Sequence, residues 1–276
     1  IKAEQTDVNG NISQSVLSNF ERAIKTRLLS TDAYDYLCFV RNLCQHDFKL
    51  KEEMSPRMAL MCHYDFWQKS GVEVGFSTLQ DSLKTFDIPA LKSELSDLLT
   101  LLLDRIQHEQ NELPNLPGVP LSLHARYARE QILVAFGAST FERQAPAREG
   151  VLEIKDQNIE LLFVTLNKNE KQFSPTTMYH DYAINEHLFH WQSQNSARPD
   201  HGKGATYIQH KQLNKRLFLF VREQTKDEYK RTMGFVNFGE VEYISHTGSQ
   251  PMNITWRLKT PMPPFMWHQA AKLAVG

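Results

Sequence analysis

The sequence predicts an α+β protein in two parts. An N-terminal helical bundle over residues 1–117 is followed by a β-rich, barrel-like domain with one or two helices over residues 118–276. Three observations carry this. Apolar residues recur at helical spacing through the first part. The text LPNLPGVP at residues 113–120 then interrupts the chain with three prolines and a glycine. Beyond it, short apolar runs of strand length alternate with turn residues.

Taken in order, Ser13 caps a segment in which Val16, Leu17, Phe20, Ile24 and Leu28 repeat every three or four residues. Thr31 or Asp32 opens a second helix with Tyr34, Leu37, Cys38 and Val40 on its apolar face. Ser55-Pro56 places proline at the first position of a third. Pro89 starts a leucine-striped helix through Leu91, Leu95, Leu99 and Leu102. One short helix is expected over residues 125–136, stopped by Gly137. Strands are expected at 151–154, 159–166, 217–221, 235–238, 241–244 and 253–258. The turns between them include Gly202-Lys203-Gly204, Gly239 and His246-Thr247-Gly248. A helical insertion is expected near residues 179–189. So few helices among the strands argue for a barrel or sandwich and against a doubly wound sheet.

Composition narrows the function classes. Of 276 residues 41% are hydrophobic and 23% charged, which excludes wholesale disorder. The net charge of -1 excludes a wholly basic nucleic-acid coat protein. That figure hides an asymmetry: 12 Lys+Arg against 17 Asp+Glu up to residue 118, and 19 against 15 after it. Cys38, Cys44 and Cys62 are an odd, clustered set without zinc-ligand spacing, so the expected setting is the reducing cytoplasm. No apolar run is long enough to span a membrane. The chain opens without Met, which suggests a piece of something longer.

The densest chemical patch runs from Phe173 to Gln194, FSPTTMYHDYAINEHLFHWQSQ. Its rings, hydroxyls and amides are the residue types that stack on bases and read base edges. Tyr179, Tyr182, Trp191, Gln192, Ser193 and Gln194 are the candidates there. Lys168 and Lys171 flank it as phosphate contacts, and Arg222 ends an apolar strand as either a buried pair or a site residue. His246 and Arg257 complete the set. A nuclease is the alternative. Glu153-Ile154-Lys155 has the short Glu-x-Lys form of many restriction nucleases, and His187 and His190 could share a helix face. No third metal ligand stands at a convincing spacing, so no metal is expected. A phosphate-binding Gly-rich loop and a G-x-S-x-G elbow are both missing from the text.

Three segments carry a resemblance: LLFVTLNKNEKQFSPTTMYHDYAINEHLFHWQSQN, LFLFVRE and GEVEYISHTGSQPMNITWRLKTPMP. From about Leu121 to Pro263 the chain resembles a bacterial domain of unknown function. That domain sits at the C-terminal end of superfamily II (DEAD/DEAH-type) helicases, often fused to a phospholipase-D-like nuclease. HLFHWQSQ and PMNITWRL are its most specific stretches. The resemblance implies the C-terminal part of a restriction-like defence protein of bacteria. Its ATP and Mg²⁺ would belong to the helicase part, since this chain has no GKT loop and no DEAH box. It also implies a pseudo-barrel that reads double-stranded DNA, at a target site or a modified base, with the upstream helicase and nuclease as partners and no membrane. A scaffold docking on that helicase is the further alternative.

Overall fold

In the computed structural model, which describes residues 11–146, 150–167 and 181–272, the first helices begin where their caps place them. Ser13 accepts from the Val16 amide and starts α1 (Gln14–Thr26). α2 (Tyr34–Gln45) begins later than expected, after Ala33. Asp32 cannot cap it, because its carboxylate accepts from the Arg126 amide at 2.6 Å. Ser55 caps α3 (Pro56–Trp67), and two short helices follow, α4 (Gly71–Val74) and α5 (Leu79–Lys84). α6 (Pro89–Asp104) buries Leu91, Leu95, Leu99, Leu102 and Leu103. Phe66 stacks on Phe86 at 4.2 Å in the middle of this bundle, with Phe20 and Phe48 around them. Fully buried rings of this size each contribute about 2–3 kcal/mol.

The chain divides into two compact units, Ile1–Ala147 and Arg148–Gly276. The boundary lies well past the proline-rich segment, not at residues 117/118. Residues up to 146 stay with the helices because they bond to them. β1 (Asn111–Glu112) pairs antiparallel with β2 (Ser122–Leu123). After β3 (Arg126–Tyr127), α7 (Arg129–Ala135) sends Gln131 to the Asp65 carboxylate. Tyr64 donates to the Thr140 carbonyl at 2.8 Å, and the Gly71 amide donates to Phe141. A break in helical periodicity therefore marks a loop here, not a domain border.

In the second unit the strands are β4 (Val151–Ile154), β5 (Ile159–Asn167), β6 (Tyr182–Asn185), β7 (Leu188–Gln192), β8 (Arg216–Gln224), β9 (Phe235–Thr247) and β10 (Asn253–Leu258). They follow the order β4-β5-β8-β9-β10-β7-β6. β5 and β8 run parallel; the remaining neighbours along that order are antiparallel. The result is an α+β fold with a large mixed sheet, open between β4 and β6 and not closed as a barrel. α8 (Gly202–Ile208) and α9 (Pro264–Lys272) contribute Tyr207 and Met266 to the core on one sheet face, among Trp191, Ile254 and Trp256.

Three local expectations change. Residues 182–192 form a hairpin instead of a helix. Asn185 accepts from the His187 amide in its turn, and Ala183 and Phe189 alternate inward. Gly202-Lys203-Gly204 opens α8 instead of a turn. Gly204 has to be glycine there, because a Cβ would lie 2.0 Å from the Arg198 carbonyl oxygen. Gly239 does not separate two strands. It sits inside β9 at φ +76°, beside the register shift against Leu219 and Phe220. Among the described residues no helix is long and apolar enough to cross a membrane.

Candidate functional site

β5, β8 and the first half of β9 are buried on both faces. Leu217, Leu219 and Val221 face the core. On the opposite face Phe163 packs on Phe220 and Phe235. β10 and β7 differ, because they alternate. Ile254, Trp256 and Leu258 are buried, and Asn253, Thr255 and Arg257 point outward. Register extends this outward row across three strands. Thr255 lies opposite His190 and Ser245, Asn253 opposite Gln192 and Thr247, and Arg257 opposite Leu188 and Glu242. Tyr182 of β6 lies opposite His190. A bulge at Ile244 makes this alignment possible. The pairing steps from Trp256–Tyr243 to Thr255–Ser245, so the extra residue restores the outward phase of Ser245 and Thr247.

The outward face therefore gathers rings, amides, hydroxyls and one cation. The Tyr182 ring lies flat on the His190 imidazole, 4.6 Å between centroids and 9° between planes. Gln192 donates from Nε2 to Asn253 Oδ1 at 3.2 Å, and its backbone amide is held by the buried carboxylate of Asp181 at 2.8 Å. Glu242 is engaged by Lys211 at 2.8 Å and Lys259 at 3.7 Å. Arg257 is exposed and makes no ion pair among the described residues.

Of the residues expected in the site, Tyr182, Gln192 and Arg257 share this face. Trp191 points the other way and is 5% exposed, edge-on to Tyr207 at 5.4 Å. Ser193 is buried and accepts from the Met252 amide. Gln194 accepts from the Tyr207 hydroxyl at 3.0 Å. Arg222 is a strut, donating to Thr165 and the Met233 carbonyl and packing 4.4 Å over Phe235. His246 follows the bulge onto the core side and bonds the Tyr243 hydroxyl. Lys168, Lys171 and Tyr179 lie outside the described residues. Ser245, Thr247, Asn253 and Thr255 were not among the candidates, and His190 was one only for the nuclease alternative. The signal for His190, Asn253 and Thr255 was the two-residue alternation in LFHWQ and NITWRL; Ser245 and Thr247 join them only through the bulge in β9.

Among the described residues, six basic groups of the second part are held in internal ion pairs. Arg216 pairs with Glu240 at 2.6 Å and Arg231 with Asp227 at 2.7 Å. Lys215 bonds Glu153 and lies 3.9 Å from Glu160. Glu153 faces Glu160 across β4 and β5, and Lys203 bridges both at 2.8 and 2.9 Å. Two acids and two lysines balance. Hydrogen bonds from Lys203 and Lys215 hold the Glu153 carboxyl down at about 2. β4 is at one end of the strand order, while His187 and His190 border or lie on β7 near the other. The nuclease candidates thus do not meet. Among the described residues no three His, Cys, Asp or Glu are placed to hold a metal ion.

In the helical unit, residues 112–122 overhang a cleft of about 450 Å³ with Asp35 and Met58. Its charged lining is Asp35 and Glu112, which does not suit a phosphate group.

The crystal structure of Arabidopsis thaliana SUVH6 in complex with SAM matches 92% of this chain at 12% identity and a TM-score of 0.33. The chain spans 41% of that protein's chain, about two fifths. No curated protein matches. The model of the family described as domain of unknown function (DUF3427) matches residues 121–270, from the β2 region through most of α9. With more than half of its length inside that match, the chain belongs to the DUF3427 family.

Proposed function

We propose that the sheet-bearing unit is a non-catalytic DNA-recognition module. Its reading surface is the outward face of β6, β7, β10 and the end of β9. One observation carries this reading: Tyr182, His190, Gln192, Asn253, Thr255 and Arg257 share a solvent-facing sheet surface through strand register. Amides and hydroxyls match base edges, the ring pair offers a stacking platform, and Arg257 supplies a phosphate contact. The nuclease residues, by contrast, are distributed along the sheet and charge-balanced.

In the larger protein that the resemblance suggests, a superfamily II helicase and a phospholipase-D-like nuclease act on DNA, and this module holds or selects it. The setting is the bacterial cytoplasm, which suits three unpaired cysteines.

The test is titration of labelled duplex DNA at several salt concentrations. With six cations held in internal ion pairs, binding should be weakly salt-dependent. Arg257→Ala should reduce the log–log salt slope by about 1. Tyr182→Ala and Gln192→Ala should weaken discrimination between duplexes more than they change the slope. A chain with no measurable salt-dependent binding to any duplex would rule the module out.

A further inference from the structure

The connection between β8 and β9 reads in sequence as a solvated, charged loop. Its geometry is that of a rigid tip. Lys226 bridges Thr232, and the Met233 amide donates to Thr225. Asp227 organises the turn. Its Oδ1 accepts from the amides of Tyr229 at 2.9 Å and Arg231 at 2.8 Å, and its Oδ2 accepts from Arg231 Nε at 2.7 Å. Lys230 takes the left-handed conformation that closes the turn, at φ +62°.

What this framework presents is an aromatic ring. Tyr229 is 70% exposed, the highest value among the exposed large apolar side chains. The Arg231 guanidinium, fixed by Asp227, lies over the ring at 4.8 Å. One ring face is thus backed by a cation while the other is open to solvent. A large exposed ring on a pre-ordered turn loses little conformational freedom on binding. Lys226, Glu228 and Lys230 around it are exposed, so the ring is flanked by two ammonium groups and one carboxylate.

An open ring face flanked by lysines fits a nucleobase stacked on the ring with its phosphates beside the ammonium groups. Bases inside a duplex have both faces covered, so the ligand is an unpaired base. The distance from the outward sheet face supports a separate contact: nine residues of β9 lie between Phe235 and Ser245, at most about 33 Å of strand.

We infer that the β8–β9 tip is a second nucleic-acid contact, in which Tyr229 stacks on an unpaired base of DNA whose duplex portion occupies the outward face of β6, β7, β10 and β9. The inference rests on the DNA-recognition reading, and its test separates the two.

The whole chain is titrated with a labelled blunt duplex and with the same duplex carrying a single-stranded extension. The extended DNA should bind more tightly. Tyr229→Ala should weaken it about tenfold, within the range of one lost base–aromatic stack, and change blunt-duplex affinity less than twofold. Tyr229→Phe should keep the affinity, because the ring and not the hydroxyl makes the contact. If Tyr229→Ala leaves both affinities unchanged while Tyr182→Ala weakens both, the tip contact is wrong and the module stands. If the unaltered chain binds neither DNA, both fall. Tight binding of the blunt duplex alone, with no gain from the extension, also overturns the tip.

Discussion

Each unit buries a carboxylate, and the two are handled in opposite ways. In the helical unit Asp65 is fully buried between neutral donors. Tyr36 donates at 2.6 Å and Gln131 at 2.8 and 3.1 Å. Burial pushes its carboxyl up to about 7. In the sheet unit Glu160 is equally buried, but lysines reach it and its neighbour Glu153, whose carboxyl is held at about 2. Burial raises the Asp65 carboxyl even though its two neutral donors pull the other way, while two lysines hold the partly exposed Glu153 carboxyl below its ordinary value. Neutral donors offset burial only in part; with less burial and two cations, the anion wins.

The strongest way to break the comparison is Asp65→Ala. It leaves the Tyr36 hydroxyl and the Gln131 amide buried without their acceptor, and should destabilise the helical unit by about 4 kcal/mol in denaturant unfolding. Next is Lys215→Met, which removes a lysine that is 6% exposed and leaves two facing carboxylates to Lys203 alone. Hydrogen exchange in β4 and β5 should report a loss of about 3 kcal/mol.

The smallest expected effect is the pH dependence, and it tests the sign directly. Asp65 titrates higher folded than unfolded, so its contribution is complete below pH 4 and is lost as pH rises toward 7. From pH 4.5 to 6 that amounts to about 2 kcal/mol, read from hydrogen exchange in α3. Glu153 titrates lower folded than unfolded, so its contribution is present above pH 4.5 and lost as pH falls toward 2. Exchange in β4 should stay flat over the window in which α3 weakens. Asp65→Asn should abolish the α3 slope and leave the β4 limb alone. Parallel slopes in both units would end the distinction.

The division into helices and strands was legible because periodicity is local. Ser13, Ser55-Pro56 and Pro89 mark their helices within a few residues. Element ends failed where a distant group intervened, as when the Arg126 amide occupies Asp32. The site was legible only in part, for a geometric reason. Trp191-Gln192-Ser193-Gln194 is a cluster along the chain, yet a strand sends neighbours to opposite faces, and Gln192 alone of the first three faces outward. Thr255 and His190 lie 65 residues apart and touch through register, which no local pattern reveals. The ion pairs are equally hidden, since Lys203 and Lys215 reach Glu153 across 50 and 62 residues.

The bulge at Ile244 makes the outward face a matter of parity. Everything in β9 beyond it, Ser245, His246 and Thr247, is one residue out of step with the strand before it. Deleting Ile244 would join Tyr243 directly to Ser245 and leave Ser245 and Thr247 outward on a straight ladder, whereas pulling Ile244 into the ladder would turn both inward and carry His246 into solvent. Chains of this family that keep the same residues with one fewer here would present the same row on an unbulged strand. When such sequences are compared, a single gap at this position removes the bulge and spares the row.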